Sequence, residues 1–133
     1  MRKVISFDFD GVLHRSVIQG TTDPINYDQP KSWSPFKESF DIIFKEALKG
    51  NKIVIVSKRM ESMNLFIAEF VDIHKLPVSE IHCTNCQSKY HKLKNLKVDT
   101  HYDDCEDLIE ELEGSGISFV LVNPFTKEFK KYY

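Results

Sequence analysis

Ile5-Ser6-Phe7-Asp8-Phe9-Asp10-Gly11-Val12-Leu13 is the stretch on which the reading of this chain turns. Val4, Ile5, Phe7 and Phe9 make an apolar run of strand length, broken by two acids spaced i,i+2 and then by a glycine. Side chains two apart on a strand point the same way, so Asp8 and Asp10 leave the strand's end side by side. Two carboxylates about 4 Å apart repel by about 4 kcal/mol at an effective dielectric of about 20. A fold that keeps such a pair offsets the repulsion with a divalent cation, or holds one carboxyl protonated as an acid. Gly11 lets the backbone turn away without a side-chain clash and leaves both acids at the strand's carboxyl end. A strand closed by a polar Asp-Gly turn is the plainer reading of the same residues, and the rest of the chain decides between the two.

Working outward, the 133 residues fit one domain with a single core. The composition, 41% apolar and 29% charged, is that of an ordinary globular protein. A net charge of −2 argues against a general nucleic-acid or membrane surface and leaves room for a local basic patch. No window approaches the roughly 18 apolar residues of a membrane span, and Met1-Arg2-Lys3 runs straight into a strand without the pattern of a signal peptide. Three cysteines cannot all pair with one another, which points to a reducing, cytoplasmic setting.

Strand and helix patterns alternate along the chain. Residues 12–34 have no sustained period and carry Gly20, Pro24 and Pro30, so they read as a long loop or flap that starts beside the acid pair. Ser34-Pro35 has the form of an N-cap and first helical residue, opening a helix with Phe36, Phe40, Ile43, Phe44, Ala47 and Leu48 on one face and a stop at Gly50-Asn51. Ile53-Val54-Ile55-Val56, within Lys52 to Ser57, is a β-branched run suited to a strand covered on both faces. A second helix places Met63, Phe66, Ile67, Phe70 and Val71 together and ends before Pro77. A short strand at Glu80 to Thr84, a helix at Lys89 to Lys97 and a strand at Val98 to Tyr102 follow. Cys105, Leu108, Ile109 and Leu112 then mark a helix ended by Gly114-Ser115-Gly116, and Ile117 to Val122 is the last strand, closed by Asn123-Pro124. Five strands separated by helices define an α/β fold, a doubly wound, Rossmann-like parallel five-stranded sheet with helices on both faces.

Ligands of such sheets sit beyond the carboxyl ends of the strands, where the strand order reverses. Asp8 and Asp10 end the first strand, Ser57 the second, and Asp103 and Asp104 the fourth, while Lys89 opens the helix before that fourth strand. Two acid pairs, a hydroxyl and a lysine at one rim suit phosphoryl transfer. A phosphate monoester needs an in-line nucleophile, neutralisation of its spread charge and a proton for the leaving oxygen. One carboxylate can attack phosphorus, another carboxyl can move the proton, and Mg²⁺ with a lysine and a hydroxyl can neutralise the phosphoryl oxygens.

These residues resemble the motifs of the haloacid dehalogenase-like phosphatases. Asp8-Phe9-Asp10-Gly11-Val12 is similar to their DxDG[TV] motif and Ile53-Val54-Ile55-Val56-Ser57 to their hydrophobic strand ending in Ser or Thr. Lys89 stands where their lysine lies, and His101-Tyr102-Asp103-Asp104 matches their late acid pair. By this resemblance Asp8 is the nucleophile, Asp10 the general acid and base, Ser57 and Lys89 the phosphoryl-binding partners, and Gly11 part of the substrate-binding loop. It further implies metal ligation by the Asp8 carboxylate, the Asp10 backbone carbonyl and the Asp103 carboxylate, with Asp104 acting through water or bracing the site. Lys92, one helical turn on, is the rival for the lysine role.

Neither interval in which that family carries a cap domain has room for one here, so the resemblance implies an open site, covered only by residues 12–34, and large or protruding substrates. His14, Arg15, Tyr27, Trp33, Lys58 and Arg59 are candidate substrate contacts, with ordinary packing as the alternative for each. Ser57-Lys58-Arg59 and Cys86-Gln87 are similar to the phosphatase half of phage polynucleotide kinases, which implies a nucleotide or nucleic-acid terminal phosphate as substrate. A phosphotransferase or phosphonate hydrolase on the same residues remains open, as does a non-catalytic binding module. For the last, His82, Cys83, Cys86 and His91 offer a candidate zinc set that falls short of two cysteine pairs; as plain structure, the same cysteines close a strand as small buried hydrophobes. Ser57 and Asp104 also have simpler readings as helix caps.

Overall fold

The computed structural model describes residues 2–15 and 30–133. At its centre lies a six-stranded sheet made of β1 (Val4–Phe7), β2 (Lys52–Ser57), β3 (Glu80–Cys83), β4 (Thr100–Asp103), β5 (Ser118–Val122) and β6 (Phe129–Lys131), ordered β3-β2-β1-β4-β5-β6. The first five strands are parallel, as expected. The sixth, absent from the sequence reading, runs antiparallel against β5. Asn123, expected only to close the last strand, builds the return: its Oδ1 accepts the Phe125 and Thr126 N–H groups at 2.9 and 3.1 Å. A three-residue edge strand with one aromatic gives no period from which to read it.

The period of two in the central strands divides the core. Ile5, Phe7, Ile53 and Ile55 face one apolar cluster with Ile43, Ile67 and Phe70, while Val54 and Val56 face a second with Leu93, Leu112 and Phe119. Helices α1 (Lys37–Leu48) and α2 (Asn64–Ile73) cover the first side; α3 (Tyr90–Asn95) and the single turn α4 (Leu108–Glu111) cover the second. Between β2 and α3 the chain forms only a 3₁₀ turn, α2 and β3, so no further domain is inserted there.

Helix α1 departs from expectation at both ends. It starts at Lys37, with Phe36 and not Ser34 at the cap. Residues 34–36 instead stay extended against 13–15, with Arg15 N–H donating to Ser34 O at 2.9 Å and Phe36 N–H to Leu13 O at 2.9 Å. The residue before a proline is biased towards extended backbone, and here a pairing partner uses that bias. At the other end Phe44 and Leu48, assigned to the buried face, are 42% and 88% exposed. Residues 16–29 of the expected flap, Tyr27 among them, lie outside the described residues. Its two ends are packed down, with Leu13, His14 and Trp33 buried. Among the described residues no helix is long and apolar enough to cross a membrane.

Candidate active site

The order of the sheet brings the acid pairs together. The chain steps outward from β1 through β2 to β3, then returns to the other side of β1 for β4, so the order reverses between β1 and β4. Asp8 follows the end of β1 and Asp103 ends β4, on adjacent strands tied by the Asp8 N–H to Tyr102 O bond of 2.8 Å. Asp8, Asp103 and Asp104 each offer one carboxylate oxygen, all within 4.8 Å of one another. Lys89, at the start of α3, reaches between them: its Nζ lies 2.8 Å from Asp8 Oδ1 and 2.6 Å from Asp103 Oδ2. Lys92 makes no such contact, and Lys89 is 97% hidden from solvent, its 3% exposure that of a residue committed to the site.

The charges in this group are unequal. Burial pushes the Asp8 carboxyl well up, the neighbouring Asp103 adds to that, and Lys89 opposes both. Asp103 is also buried, but Lys89 and His101 hold its carboxyl well below the usual carboxylate range. Asp104 is raised to about 6 by burial and by the adjacent Asp103 charge. Burial alone favours a neutral Lys89, yet Asp8 and Asp103 keep it firmly protonated. Three carboxylates against one ammonium leave two negative charges when all are ionised, the charge of one divalent cation. A set of carboxylate oxygens is the donor type that hard cations such as Mg²⁺ take. The residues present therefore fit such an ion.

Asp10 stands in the opposite setting. The Arg59 guanidinium grips it through two bonds, Nε to Oδ2 at 2.8 Å and an Nη to Oδ1 at 2.6 Å, and His14 Nε2 lies 2.8 Å from Oδ1. Burial would raise the Asp10 carboxyl, but His14 and Arg59 bring it down to about 2. Arg59 lies over Phe9 and Trp33 at 5.4 and 5.2 Å from the ring centroids, and His14 stacks on Trp33. His14 and Trp33, considered as substrate contacts, are thus core residues that hold Asp10 and its arginine.

A cavity of about 360 Å³ opens over this rim. Asp8, Asp10, Lys89, Asp103 and Asp104 line it, with Lys58 and Arg59 from the β2 loop and Cys105 and Leu108 after β4. Cys105 and Leu108 escaped the sequence reading because their helical spacing marked them as core. Ser57 is buried and its Oγ accepts the Arg59 N–H at 3.2 Å. That bond shapes the loop rather than capping α2, which begins at Asn64. Asp104 likewise caps nothing: α4 starts at Leu108, and the Cys105 N–H is taken by Asp103 Oδ1 at 3.1 Å. Gly11 has φ +77°, and a Cβ there would lie 2.2 Å from Asp104 Oδ2. Only glycine lets this turn pass so close to the acid.

The Cys83–Cys86 segment has a visible task. Thr84, Asn85 and Cys86 donate their N–H groups to the carbonyls of Ser57, Arg59 and Lys58 at 2.8, 3.1 and 2.7 Å, stitching the β3 loop to the β2 loop. Asn85 and Cys86 adopt φ of +53° and +66° to do so. Cys83 is buried and Cys86 exposed, and the group that could hold a metal ion among the described residues is Asp8, Asp103 and Asp104.

No protein-family model matches the chain. An uncharacterized protein of Acanthamoeba polyphaga mimivirus is 30% identical over 128 residues, spanning 86% of this chain and 25% of the viral protein. Among solved structures, a chain of the Pnkp1/Rnl/Hen1 RNA repair complex superposes with a TM-score of 0.72 at 17% identity, over 92% of this chain and 42% of its own length. A haloacid dehalogenase-like hydrolase from Bacteroides fragilis gives 0.65 at 15% identity, covering 93% of this chain and 89% of that one. D,D-heptose 1,7-bisphosphate phosphatase from B. bronchiseptica, complexed with magnesium and phosphate, gives 0.62 at 15% identity, over 94% and 84%. This chain has the haloacid dehalogenase-like fold. It spans about a quarter of its curated relative and under half of the repair-complex chain.

Proposed function

We propose that this chain is a Mg²⁺-dependent phosphatase that hydrolyses a phosphate monoester through an aspartyl-phosphate on Asp8. One observation carries the reading: Asp8, Asp103 and Asp104 converge within 4.8 Å at the switch point of the sheet, with the Lys89 ammonium between the first two. Mg²⁺ held by the Asp8 and Asp103 carboxylates and the Asp10 backbone carbonyl, with Asp104 bracing, would neutralise the phosphoryl oxygens and let an anion approach anions.

The remaining work falls to side chains. Asp8 attacks phosphorus, the ester P–O bond breaks, and the leaving oxygen takes a proton from Asp10. Asp10 then accepts a proton from water, whose oxygen attacks the same phosphorus, releasing inorganic phosphate and restoring the Asp8 carboxylate. Lys89 engages two carboxylates, and its third proton is available to a phosphoryl oxygen. Asp10 can carry a proton only when its hold by Arg59 weakens. A bound phosphoryl group offers Arg59 a second anionic partner, so substrate itself loosens that hold.

A nucleotide or nucleic-acid terminal phosphate is the substrate class we favour. Exposed Lys58 and the adjacent Arg59 border the cavity, and the likeness to an RNA repair complex supports the same choice. The free cysteines Cys83, Cys86 and Cys105 support a cytoplasmic setting. The test is phosphate release from 3′- and 5′-phosphorylated oligonucleotides, nucleotides, sugar phosphates and phosphopeptides, with Mg²⁺ or with EDTA. Fastest release from oligonucleotide ends, abolished by EDTA, is expected. Fastest release from a sugar phosphate overturns the substrate class alone, and none from any member overturns the phosphatase.

A further inference from the structure

We infer that His101, fixed by Ser6, is a positioning residue that orients the Asp103 carboxylate towards the cation. The inference rests on the metal-dependent reading above and concerns residues that touch neither substrate nor metal. His101 and Ser6 are completely buried, in the face of the sheet that carries Val54, Val56 and Phe119. They pair directly across β4 and β1. A polar pair placed in an apolar layer is costly unless every group finds a partner, and here each does.

The partners fix the imidazole. Ser6 Oγ lies 2.6 Å from His101 Nδ1 and pairs that nitrogen, while the other, Nε2, faces an acceptor-only carboxylate. The ring proton is then on Nε2, which donates to Asp103 Oδ2 at 2.8 Å. Lys89 Nζ donates to that same oxygen at 2.6 Å. Both lone pairs of Oδ2 are thereby used. Oδ1 takes the Cys105 N–H at 3.1 Å, a single backbone donor where Oδ2 has two side-chain ones. His101 and Lys89 together thus leave Oδ1 of Asp103 to the cation, and Ser6, paired with Nδ1, holds the ring in place. An acid that loses such an anchor rotates, and outer partners of this kind are worth about 10- to 100-fold in metal affinity.

Calorimetric titration of Mg²⁺ into wild type, His101→Leu, His101→Gln and Ser6→Ala reads this without turnover, at a temperature where circular dichroism shows each protein folded in EDTA. Loss of Mg²⁺ affinity of about 10-fold or more is expected for His101→Leu. Gln can offer a donor near the position of Nε2, so His101→Gln should recover most of that loss, and Ser6→Ala should lose several-fold. Nitrogen NMR of the metal-free wild type should show a proton on Nε2 and none on Nδ1 of His101. Wild-type Mg²⁺ affinity in folded His101→Leu, or in Ser6→Ala should His101→Leu not fold, overturns the positioning role while leaving the metal site standing. A wild-type protein that binds no Mg²⁺ overturns both.

Discussion

Asp8 and Asp10 leave the same strand end two residues apart, yet the fold gives them opposite surroundings. Around Asp8 stand two more carboxylates and a single ammonium, and burial, with the negative charge left over, pushes the Asp8 and Asp104 carboxyls up. Around Asp10 stand a guanidinium and an imidazole, and its carboxyl is held at about 2. One half of the pair lies in a surplus of negative charge, the other is held ionised by Arg59 and His14. Strand spacing alone makes two such acids neighbours; distant partners, Lys89 and Asp103 for Asp8 and Arg59 for Asp10, make them different.

The sharpest way to break this comparison is Asp8→Asn. It removes the proposed nucleophile and should reduce turnover of an aryl phosphate by roughly a thousandfold or more, with the fold retained by circular dichroism. Unchanged turnover would end the covalent mechanism. Arg59→Ala should release Asp10 from its grip. The Asp10 carboxyl, lying below its unfolded value, contributes stability that is complete above about pH 4 and lost as pH falls through about 2. The variant should forfeit about 1 to 2 kcal/mol at neutral pH and lose part of the wild type's acid-induced decline, measurable by urea titration at pH 7 and pH 3.

Gly11→Ala tests the boundary between the two settings, because its new Cβ would meet Asp104 Oδ2 and its φ of +77° suits glycine. A loss of about 1 to 2 kcal/mol is expected, together with weaker Mg²⁺ binding in calorimetry. The smallest effect should come from Asp104→Asn. Its carboxyl is raised to about 6, so the charged form destabilises the metal-free fold, a penalty absent below about pH 4 and complete above about pH 6. The variant should melt a few degrees higher than wild type in EDTA at pH 7.5, with the gap closing near pH 4. A gap that widens in acid would contradict the crowding of carboxylates on that side.

Much of this was legible without coordinates. The unbroken β-branched run Ile53-Val54-Ile55-Val56 announced a strand covered on both faces, and it is one. Asp8 of the DxDG stretch and the Asp103-Asp104 pair, expected at one rim, do converge, while the Asp10 carboxylate is held by Arg59 and His14. Misreadings fell where a local preference met a tertiary partner. Ser34-Pro35 looked like a helix start but pairs with residues 13–15, and the three residues of β6 are too few to show a period. His14 and Trp33 looked available for substrate, while burial assigns them to Asp10 and Arg59. His101 gave no signal as a site residue, since a histidine in a strand shows its partner only when the neighbouring strand is known.

Sequence by itself determined the alternation of elements and the apolar runs of the central strands, because these follow from local periodicity and backbone preference. Tertiary structure alone decided which acid lies beside a lysine and which beside an arginine, and hence which is pushed up and which held down. Protonation is set by charges a few ångströms away in space, and here they come from a near neighbour such as His14 and from Lys89 and Arg59, 14 and 49 positions from Asp103 and Asp10.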